Sequence, residues 1–583
     1  MDLERFFHRS VEWGDGTAGV CVLALLAFFS PASQAQLAQQ RPDAGTVIQE
    51  MKKPAAPLPG GEVLPRAPEP KPALGAPGLK VNVTAFRISG NTLFSEAVLL
   101  QTVTEFVGKE QDIDGLNDAA TKVRAYYRER GYFLVQAYLP QQEIREGVVE
   151  IAVIEARLGK VELNFKQGTR FSEGLVRGII EQHLKEGDLI TEASLETPLL
   201  LLNDFPNAVV NSEIRPSQTL GAADLKVNVS DSGTLVTGQV GLDNFGNRFT
   251  GAWRGSFSMS VNNPLAIGDQ LAFSAITTDE QMGIYRAAYT VPVLYWGTRL
   301  SVSYTSFHYQ LGKSEFHSLQ AHGVGGITSV SAFHPIIRTR GGNLIAQFIY
   351  TDKRLDDRVD TQQFRIEDRK ITTSQLGLIG DFRDGVLGGG LNAFTFTLTE
   401  GNVLISPANI LATDQGAQGL KTAGRFAKHN FEFRRLQKIT GDASLLLALS
   451  GQMASKNLTS AEKFALGGIN GVRAYPTSEA LGDTGWVFQG EMRYLVPGAK
   501  FAGGDVTLSG FYDQGWVRVN ENKFDTDVTN NRRISGYGLG ASLGRDSDFL
   551  LSATAAWRNE SERPISDTAT RVPRIWVQAI KWF

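Results

Sequence analysis

The chain has 583 residues, of which 42% are hydrophobic and 20% are charged, and its formal net charge is −3 at pH 7. This length predicts several domains, and the near-neutral charge offers no basic surface for gripping nucleic acid. Seven scattered histidines and one cysteine give no zinc-type ligand cluster. Beyond the N-terminus no apolar run reaches about 18 residues, so helical membrane spans are not expected, although a membrane β-barrel escapes that test.

The N-terminus carries the features of an export signal. Residues 18–29 form a short apolar core, and Ser33 and Ala35 are the small residues of a cleavage site. We therefore predict a signal peptide over residues 1–35. Its removal would also remove Cys21, the only cysteine, which suits passage through an oxidising compartment.

Residues 36–79 are rich in proline and alanine. Such a composition cannot form a core and predicts an extended spacer. Within this stretch, residues 46–53 could make two helical turns. The residues alone leave two alternatives open here, a short helix and a disordered tail.

A β-α-α-β-β order of elements occurs twice in succession, with a period of about 75 residues. We predict a first module over residues 80–157 and a second module over residues 158–231. In the first module the predicted elements are strand 81–88, a helix after Ser95 to 106, a helix from Asp114, and strands 132–139 and 148–154. In the second they are strand 160–165, a helix after Ser172 to 184, a helix with Leu195, Leu199 and Leu202, and strands 208–215 and 224–229.

This order resembles the POTRA domain, and segments 139–143 and 202–206 are similar to the POTRA versions of two-partner secretion proteins. A small sheet packed on two helices leaves an exposed strand edge, which can accept an extended guest strand. We expect client binding on such edges and near the first helix of the second module. Arg177 and His183 are the side-chain candidates there.

From residue 232 to residue 583 polar and apolar residues alternate, as in the run 257–261, Phe-Ser-Met-Ser-Val. The polar residues of this alternation are small and neutral, which is typical of a water-filled lumen, and the apolar residues would face lipid. We therefore predict a transmembrane barrel, with enough length for roughly sixteen strands of about ten residues. The charged stretch 352–370 is interpreted as a solvated outer loop. Phe583 resembles the terminal aromatic that outer-membrane assembly machinery reads, although Lys581 departs from the usual pattern. The alternative is a soluble β-sandwich array.

The segment 467–476, Gly-Gly-Ile-Asn-Gly-Val-Arg-Ala-Tyr-Pro, is poor material for a strand or a helix because of its glycines and its proline. We predict a long shaped loop that hangs from the barrel. An arginine folded back inside a barrel needs an anion. Asp513 supplies one about a hairpin downstream, and Glu491 is a second lumen acceptor. The alternative is an ordinary extracellular hairpin loop.

The loop tip, Val-Arg-Ala-Tyr, resembles the Val-Arg-Gly-Tyr or Val-Arg-Gly-Phe tip of the inward-folding loop in POTRA-bearing outer-membrane barrels, specifically the two-partner secretion transporters that export filamentous haemagglutinin and haemolysin. An aromatic-x-Asp motif of that family matches residues 511–513. The alanine replaces the family glycine, which puts a left-handed backbone there in doubt. The site residues that this resemblance implies are Val472, Arg473, Ala474 and Tyr475 in the loop, with Asp513, Phe511 and Glu491 on the barrel wall.

The resemblance covers residues 81–583 and implies an α+β and membrane all-β architecture. Two POTRA domains would precede a 16-stranded antiparallel transmembrane β-barrel with an inward-folded loop, and an N-terminal helix would plug the barrel. The implied function is an outer-membrane transporter of a Gram-negative bacterium, with its POTRA domains in the periplasm. It would recognise an unfolded partner exoprotein and pass it through the barrel to the cell surface without nucleotide hydrolysis.

The resemblance also sets expectations about partners. The client would carry an N-terminal β-helical secretion domain, and periplasmic chaperones, the outer-membrane assembly machinery and membrane lipid would be further partners. We expect a monomer, no nucleic acid, no cofactor and no metal. We see no catalytic constellation and expect no enzymatic activity. The alternatives are an insertase of the same superfamily and a porin or receptor barrel.

Overall fold

The computed structural model describes residues 42–51, 80–219, 221–312, 320–359, 364–523, 529–559, 563–567 and 571–583. The predicted signal peptide and most of the proline-rich spacer lie outside these residues. The first described element is helix α1 (Ala44–Glu50), which begins two residues before the predicted stretch 46–53. No helix in the described ranges is long and apolar enough to cross a membrane.

The first module is a small sheet on two helices. Its elements are β1 (Lys80–Asn82), β2 (Ala85–Ser89), α2 (Glu96–Gln101), β3 (Glu110–Asp112), α3 (Ile113–Arg128), β4 (Gln136–Tyr138) and β5 (Val148–Ile154). The sheet order is β2-β5-β4, with β2 parallel to β5. Asp112 caps α3 by accepting from Gly115 N at 2.9 Å, and one face of α3, including Val123 and Tyr127, is fully buried.

Three predicted elements of this module differ in the structure. The predicted strand 81–88 is divided because β1 pairs with β3, whereas β2 pairs with β5. The predicted helix ends early, and only a 3₁₀ turn, Thr104–Phe106, follows α2. The predicted strand 132–139 is shortened to β4, because Tyr132 N donates to Tyr127 O at 3.1 Å and prolongs the exit turn of α3.

The second module repeats the order. Its elements are β6 (Arg157–Phe165), α4 (Glu173–His183), α5 (Glu192–Asn203), β7 (Ala208–Pro216) and β8 (Ala222–Asp231). The sheet order is β6-β8-β7, with β6 parallel to β8. Ser172 caps α4 as predicted, accepting from Leu175 N at 3.3 Å, and Leu195 and Leu199 of α5 are buried in the module core.

Sixteen antiparallel strands close into a barrel, as predicted. They are β9 (Val236–Asp243), β10 (Arg254–Asn262), β11 (Gln270–Thr278), β12 (Gly283–Pro292), β13 (Arg299–Gln310), β14 (Ala321–Arg338), β15 (Gly342–Val359), β16 (Phe364–Asp384), β17 (Gly390–Ser406), β18 (Gly424–Lys438), β19 (Ala443–Ala454), β22 (Thr484–Phe501), β23 (Gly504–Arg518), β24 (Asn531–Arg545), β25 (Phe549–Arg558) and β26 (Arg574–Trp582). Between them lie helix α6 (Ala408–Gln415) and the short strands β20 (Phe464–Ala465) and β21 (Leu481–Gly482). The last strand closes the barrel by pairing with the first, with Gln578 opposite Asp243.

Alternation along each strand separates an outer apolar face from an inner face. On β22, for example, Met492 and Tyr494 are exposed outward, while Glu491 and Arg493 turn towards the lumen. The second module contacts the turns at one end of the barrel, where Arg338 at the end of β14 pairs with Asp204 after α5. We refer to this as the periplasmic end.

The interpretation of residues 352–370 as a solvated outer loop is wrong. These residues belong mainly to β15 and β16, which extend the barrel wall. Several of their charges face inward and are satisfied there: Asp357 accepts from the backbone N of Ala44 at 2.9 Å, and Lys353 pairs with Glu462. A charge-rich sequence therefore forms strands here: the inward charges find partners in the filled lumen, and outward charges such as Arg354 and Asp352 pair with each other on the outer face.

Candidate functional site in the barrel lumen

Residues 455–483 connect β19 to β22 and fold back into the lumen from the end opposite the second module. The inward loop, as we call this segment, is held by its own backbone: Leu466 N donates to Glu479 O at 3.1 Å, and Val472 N donates to Leu466 O at 2.7 Å. Gly471 allows this tight return, since a Cβ there would collide with the carbonyl of Leu466. The predicted long shaped loop is therefore an inserted and compact structure.

Arg473 at the tip is anchored to the barrel wall. Its Nε and Nη2 donate to the two carboxylate oxygens of Asp513 on β23 at 2.9 and 2.8 Å, and its backbone N donates to the same carboxylate at 3.1 Å. Its Nη1 contacts Glu491 on β22, and its guanidinium carbon lies 3.5 Å from the ring centroid of Phe511. The structure thus brings the predicted arginine to all three predicted wall residues.

This anchorage is deeply buried. Arg473 is 8% exposed and Asp513 is fully buried. Charge-assisted bidentate bonds of this kind are strong and directional. Removing one partner of a buried pair typically costs about 3–5 kcal/mol, because the other charge is left without compensation. The tip is therefore fixed by a contact in which the loss of either side chain leaves a buried charge without its partner.

The neighbours of Arg473 in the tip fill the space between loop and wall. Val472 and Tyr475 are fully buried in one apolar cluster with Ile534 of β24. Ala474 does not adopt a positive φ, so the alanine is compatible with this backbone. Its methyl lies against Gly536 of β24, where any side chain would collide with it. A glycine in the wall therefore makes room for the residue that replaces the family glycine.

Three further contacts tie the tip to the barrel closure and were not found from the sequence. The indole Nε1 of Trp576 on β26 donates to Arg473 O at 2.7 Å. Thr477 Oγ1 donates to Phe245 O at 2.6 Å, and Asn247 Nδ2 donates to Thr477 O at 3.3 Å, both just beyond β9. A signal was available for Trp576, because alternation places it on the inner face, where a bulky aromatic is unusual for a wet lumen.

The outer part of the inward loop carries buried ion pairs of its own. Glu462 pairs with Lys428 of β18 at 2.8 Å, and Lys463 pairs with Asp483 at 2.8 Å. Glu479 pairs with Arg532 of β24 at 2.6 Å. The Glu479 carboxylate also accepts from the backbone N of Ser566 at 2.9 Å, which draws an outer loop towards it. The sequence analysis missed these residues.

Helix α1 lies in the lumen against the inward loop. Its first turn is closed by a capping box, in which Asp43 accepts from Thr46 N and Thr46 Oγ1 accepts from Asp43 N, both at 2.9 Å. Gln49 Nε2 donates to Lys463 O at 2.9 Å. Ala44 and Val47 are fully buried in a cluster with inward-facing barrel side chains. Of the two alternatives left open by the sequence, the structure shows the helix.

The two client-binding candidates lie far from this lumen site, on α4. The Arg177 side chain is 40% exposed and pairs with Glu173 at 2.8 Å and Glu181 at 3.7 Å on its own helix. His183 Nδ1 donates to Ile179 O at 2.9 Å, and the ring packs edge-on against Trp296 of a barrel turn. His183 therefore helps to seat the second module on the barrel.

Comparison with known proteins identifies the family. A model of the family described as haemolysin secretion/activation protein ShlB/FhaC/HecB matches residues 221–543, more than half of the chain. The chain belongs to this family. A model of the ShlB-type POTRA domain matches residues 81–156, within the first module.

Similar proteins agree along nearly the whole length. The heme/hemopexin transporter protein HuxB of Haemophilus influenzae (strain 86-028NP) is 25% identical over 563 residues, which are 94% of this chain and 96% of HuxB. The outer membrane transporter CdiB of Escherichia coli is 22% identical over 515 residues, 85% of this chain and 83% of CdiB. The solved structure of CdiB from Escherichia coli superposes with a TM-score of 0.69 at 20% identity, covering 92% of this chain and 95% of that one.

This member of the ShlB/FhaC/HecB family is an outer-membrane transporter, with POTRA modules in the periplasm and a barrel through which a partner protein is exported. The predicted family, fold and localisation are confirmed. The insertase alternative is not favoured, because the matching family and the similar transporters are exporters. The soluble β-sandwich alternative is excluded by the closed barrel.

Proposed function

We propose that the inward loop and helix α1 together keep the lumen closed while the transporter is idle, and that export requires their displacement. The observation that carries this proposal is the Arg473 anchorage, in which one side chain of the loop binds Asp513 and Glu491 on neighbouring strands. Helix α1 rests on the same loop through Gln49. Displacement of the loop would thus remove one support of the helix and leave its contact with Asp357 on the barrel wall.

The client in this proposal is an unfolded exoprotein with an N-terminal β-helical secretion domain, delivered by periplasmic chaperones. Strand β7 supports capture by strand addition, since in the described part of the chain it pairs with β8 alone and forms an edge of the sheet. Strand addition uses backbone hydrogen bonds, so it can bind an extended client regardless of the client's side chains. Arg177, exposed on α4, remains the side-chain candidate for a second contact.

Export in this scheme consumes no nucleotide and involves no enzymatic step or cofactor. Burial of the client's apolar residues as it folds outside the cell makes return unfavourable and draws more chain outward. One chain is enough, because the barrel closes on itself through β26 and β9. The domains of the transporter in this proposal are a signal peptide (1–35), a helix and linker (36–79), two POTRA domains (80–157 and 158–231) and a barrel (232–583). The outer-membrane assembly machinery would insert the barrel into the membrane.

Replacing Arg473 tests the proposal. We expect Arg473→Ala to insert as a heat-resistant barrel and to reduce secretion of the partner by at least about tenfold, because the loop loses its fixed position beside the buried Asp513 carboxylate and then obstructs the lumen instead of moving aside as a unit. A matched control is Arg493→Ala, which removes another lumen guanidinium that contacts Glu491 but is 41% exposed. Normal secretion by the Arg473 variant, or an equal loss in the control, would show that the anchorage has no special role in export.

A further inference from the structure

The turn between β16 and β17 exposes apolar side chains at the periplasmic end of the barrel. Val386 and Leu387 at its tip are 59% and 80% exposed. Leu387 also has a φ of 53°, in the left-handed region that costs a residue other than glycine about 1–2 kcal/mol. An exposed leucine in a strained backbone is unfavourable in water, so this tip, which we call the apolar turn, is suited to a less polar surrounding.

Several backbone groups of the apolar turn are hydrogen-bonded within the protein. The amide Nε2 of Gln437 on β18 lies 3.3, 3.0, 3.0 and 3.1 Å from the carbonyl oxygens of Val386, Leu387, Gly389 and Lys438, and these oxygens share its two N–H groups. Val386 N donates to Asp384 Oδ1 at 3.0 Å. Backbone groups that enter a bilayer must find their partners inside the protein, whereas a turn in water does not need this.

Charged groups beside the turn are also closed into a network. Arg435 on β18 binds both carboxylate oxygens of Asp384, at 2.6 and 3.0 Å, and donates to Asn392 Oδ1 at 2.8 Å and Gln437 Oε1 at 2.6 Å. Gly390 leaves the space that the guanidinium crosses. A charge on the lipid face is costly unless it is paired and hydrogen-bonded, and this arrangement meets that condition.

The network and the turn continue the lipid-facing surface. Strand alternation places Asp384 and Arg435 on the same outward face as the exposed Phe382 and Phe433 of their own strands. We propose that the apolar turn is a membrane anchor, with Leu387 inserted into the periplasmic leaflet and Gln437 positioning it there. The partner is lipid, because the turn is continuous with the belt that already faces it.

Another turn of the same rim has a polar tip. The turn between β24 and β25 has the sequence Asp546-Ser547-Asp548, and Asp548 contacts Arg545 and Lys581. Ser547 is exposed and has a positive φ like Leu387, so the two turns share a strained tip but differ in polarity. The β24–β25 turn is therefore a polar comparison for the apolar turn on the same rim. This inference does not depend on the proposed closure of the lumen.

Lipid quenching of a polarity-sensitive label tests the anchor in the full-length transporter. Leu387→Cys would be made in a Cys21→Ser background, labelled with a nitrobenzoxadiazole dye, and reconstituted in dioleoylphosphatidylcholine vesicles with or without brominated lipid. Leu376→Cys in the lipid-facing belt is the positive control and Ser547→Cys is the negative control. We expect the label at position 387 to be quenched nearly as strongly as at 376, and at least about twofold more than at 547.

Equal quenching at positions 387 and 547 would overturn the anchor. So would a label at 387 that responds to an added unfolded secretion-domain polypeptide but not to brominated lipid, since the turn would then be a client-docking site. Gln437→Leu removes the amide whose two N–H groups face the carbonyls of the turn. We expect it to lower quenching at 387 while leaving that at 376 unchanged, and unchanged quenching at both positions would remove the positioning role of Gln437.

Discussion

Two bidentate arginine–aspartate pairs fasten separate parts of this transporter to its barrel. In the lumen, Arg473 of the inward loop binds Asp513, and at the periplasmic end Arg338 of β14 binds Asp204 of the second module with N···O distances of 2.8 and 2.6 Å. The chemistry is the same, but burial differs. The Asp513 side chain is fully buried, whereas that of Asp204 is 31% exposed.

Burial determines whether water can replace the partner in each ion pair. Water can replace the partner of a half-exposed carboxylate, but it cannot reach one that is enclosed by protein. The periplasmic joint also has support besides its ion pair, since Thr197 Oγ1 donates to Arg338 O at 3.1 Å and Phe205 packs against Gly268. We infer that the joint adjusts in small steps, whereas the lumen anchorage is either made or lost.

Of the variants that compare the Arg473–Asp513 pair with the Arg338–Asp204 pair, Asp513→Ala should reduce secretion the most. It leaves the Arg473 guanidinium buried with Glu491 as its remaining carboxylate among the described contacts, at a cost of about 3–5 kcal/mol. We expect secretion to fall at least as far as in Arg473→Ala and the bilayer conductance of the purified barrel to rise. The measurements are a secretion assay and planar-bilayer recording.

A double-mutant cycle gives the control for this prediction. If the two residues act as one contact, Arg473→Ala/Asp513→Ala should lose little more secretion than either single variant, because no buried charge is then stranded between them. Protease sensitivity of the inward loop in the inserted barrel reports the same coupling. Independent, additive losses in both measurements would show that the pair is not the anchorage.

The sequence could predict the lumen contact but not its surroundings. Alternation and the glycine-rich interruption around Arg473 carry local information, so the barrel, its strand number and the central pair could be inferred. By contrast, Ala44 N meets Asp357 across 313 positions, and no local pattern links them. The charges of 352–370 were misinterpreted for the same reason, since only a filled lumen makes inward lysines and aspartates compatible with strands.

Breaking the partly exposed Arg338–Asp204 pair should reduce secretion moderately. Asp204→Ala removes the carboxylate that receives Arg338, at about 1 kcal/mol, because the site is partly solvated and Phe205 still packs. We expect the distance distribution between nitroxide labels at Arg177→Cys and Ser547→Cys to broaden, and secretion to fall about two- to threefold. Glu105→Ala, which removes a surface pair with Lys122 in the first module, should leave both unchanged. An unaltered distribution in Asp204→Ala would assign the joint's rigidity to its apolar contacts.

The pH dependence of the periplasmic joint should be the smallest effect. Burial raises the pKa of Glu196 on α5 above its ordinary value of 4.5, although Arg340 lies 3.0 Å away and opposes the shift. A carboxyl with a raised pKa stabilises the folded joint fully below 4.5 and loses that contribution as pH rises through the raised value. We therefore expect amide exchange in α5, corrected for its intrinsic rate, to slow by a factor of about 2 between pH 7.5 and pH 5. Glu196→Gln should abolish this dependence, and a dependence that persists in the variant would have to come from another group.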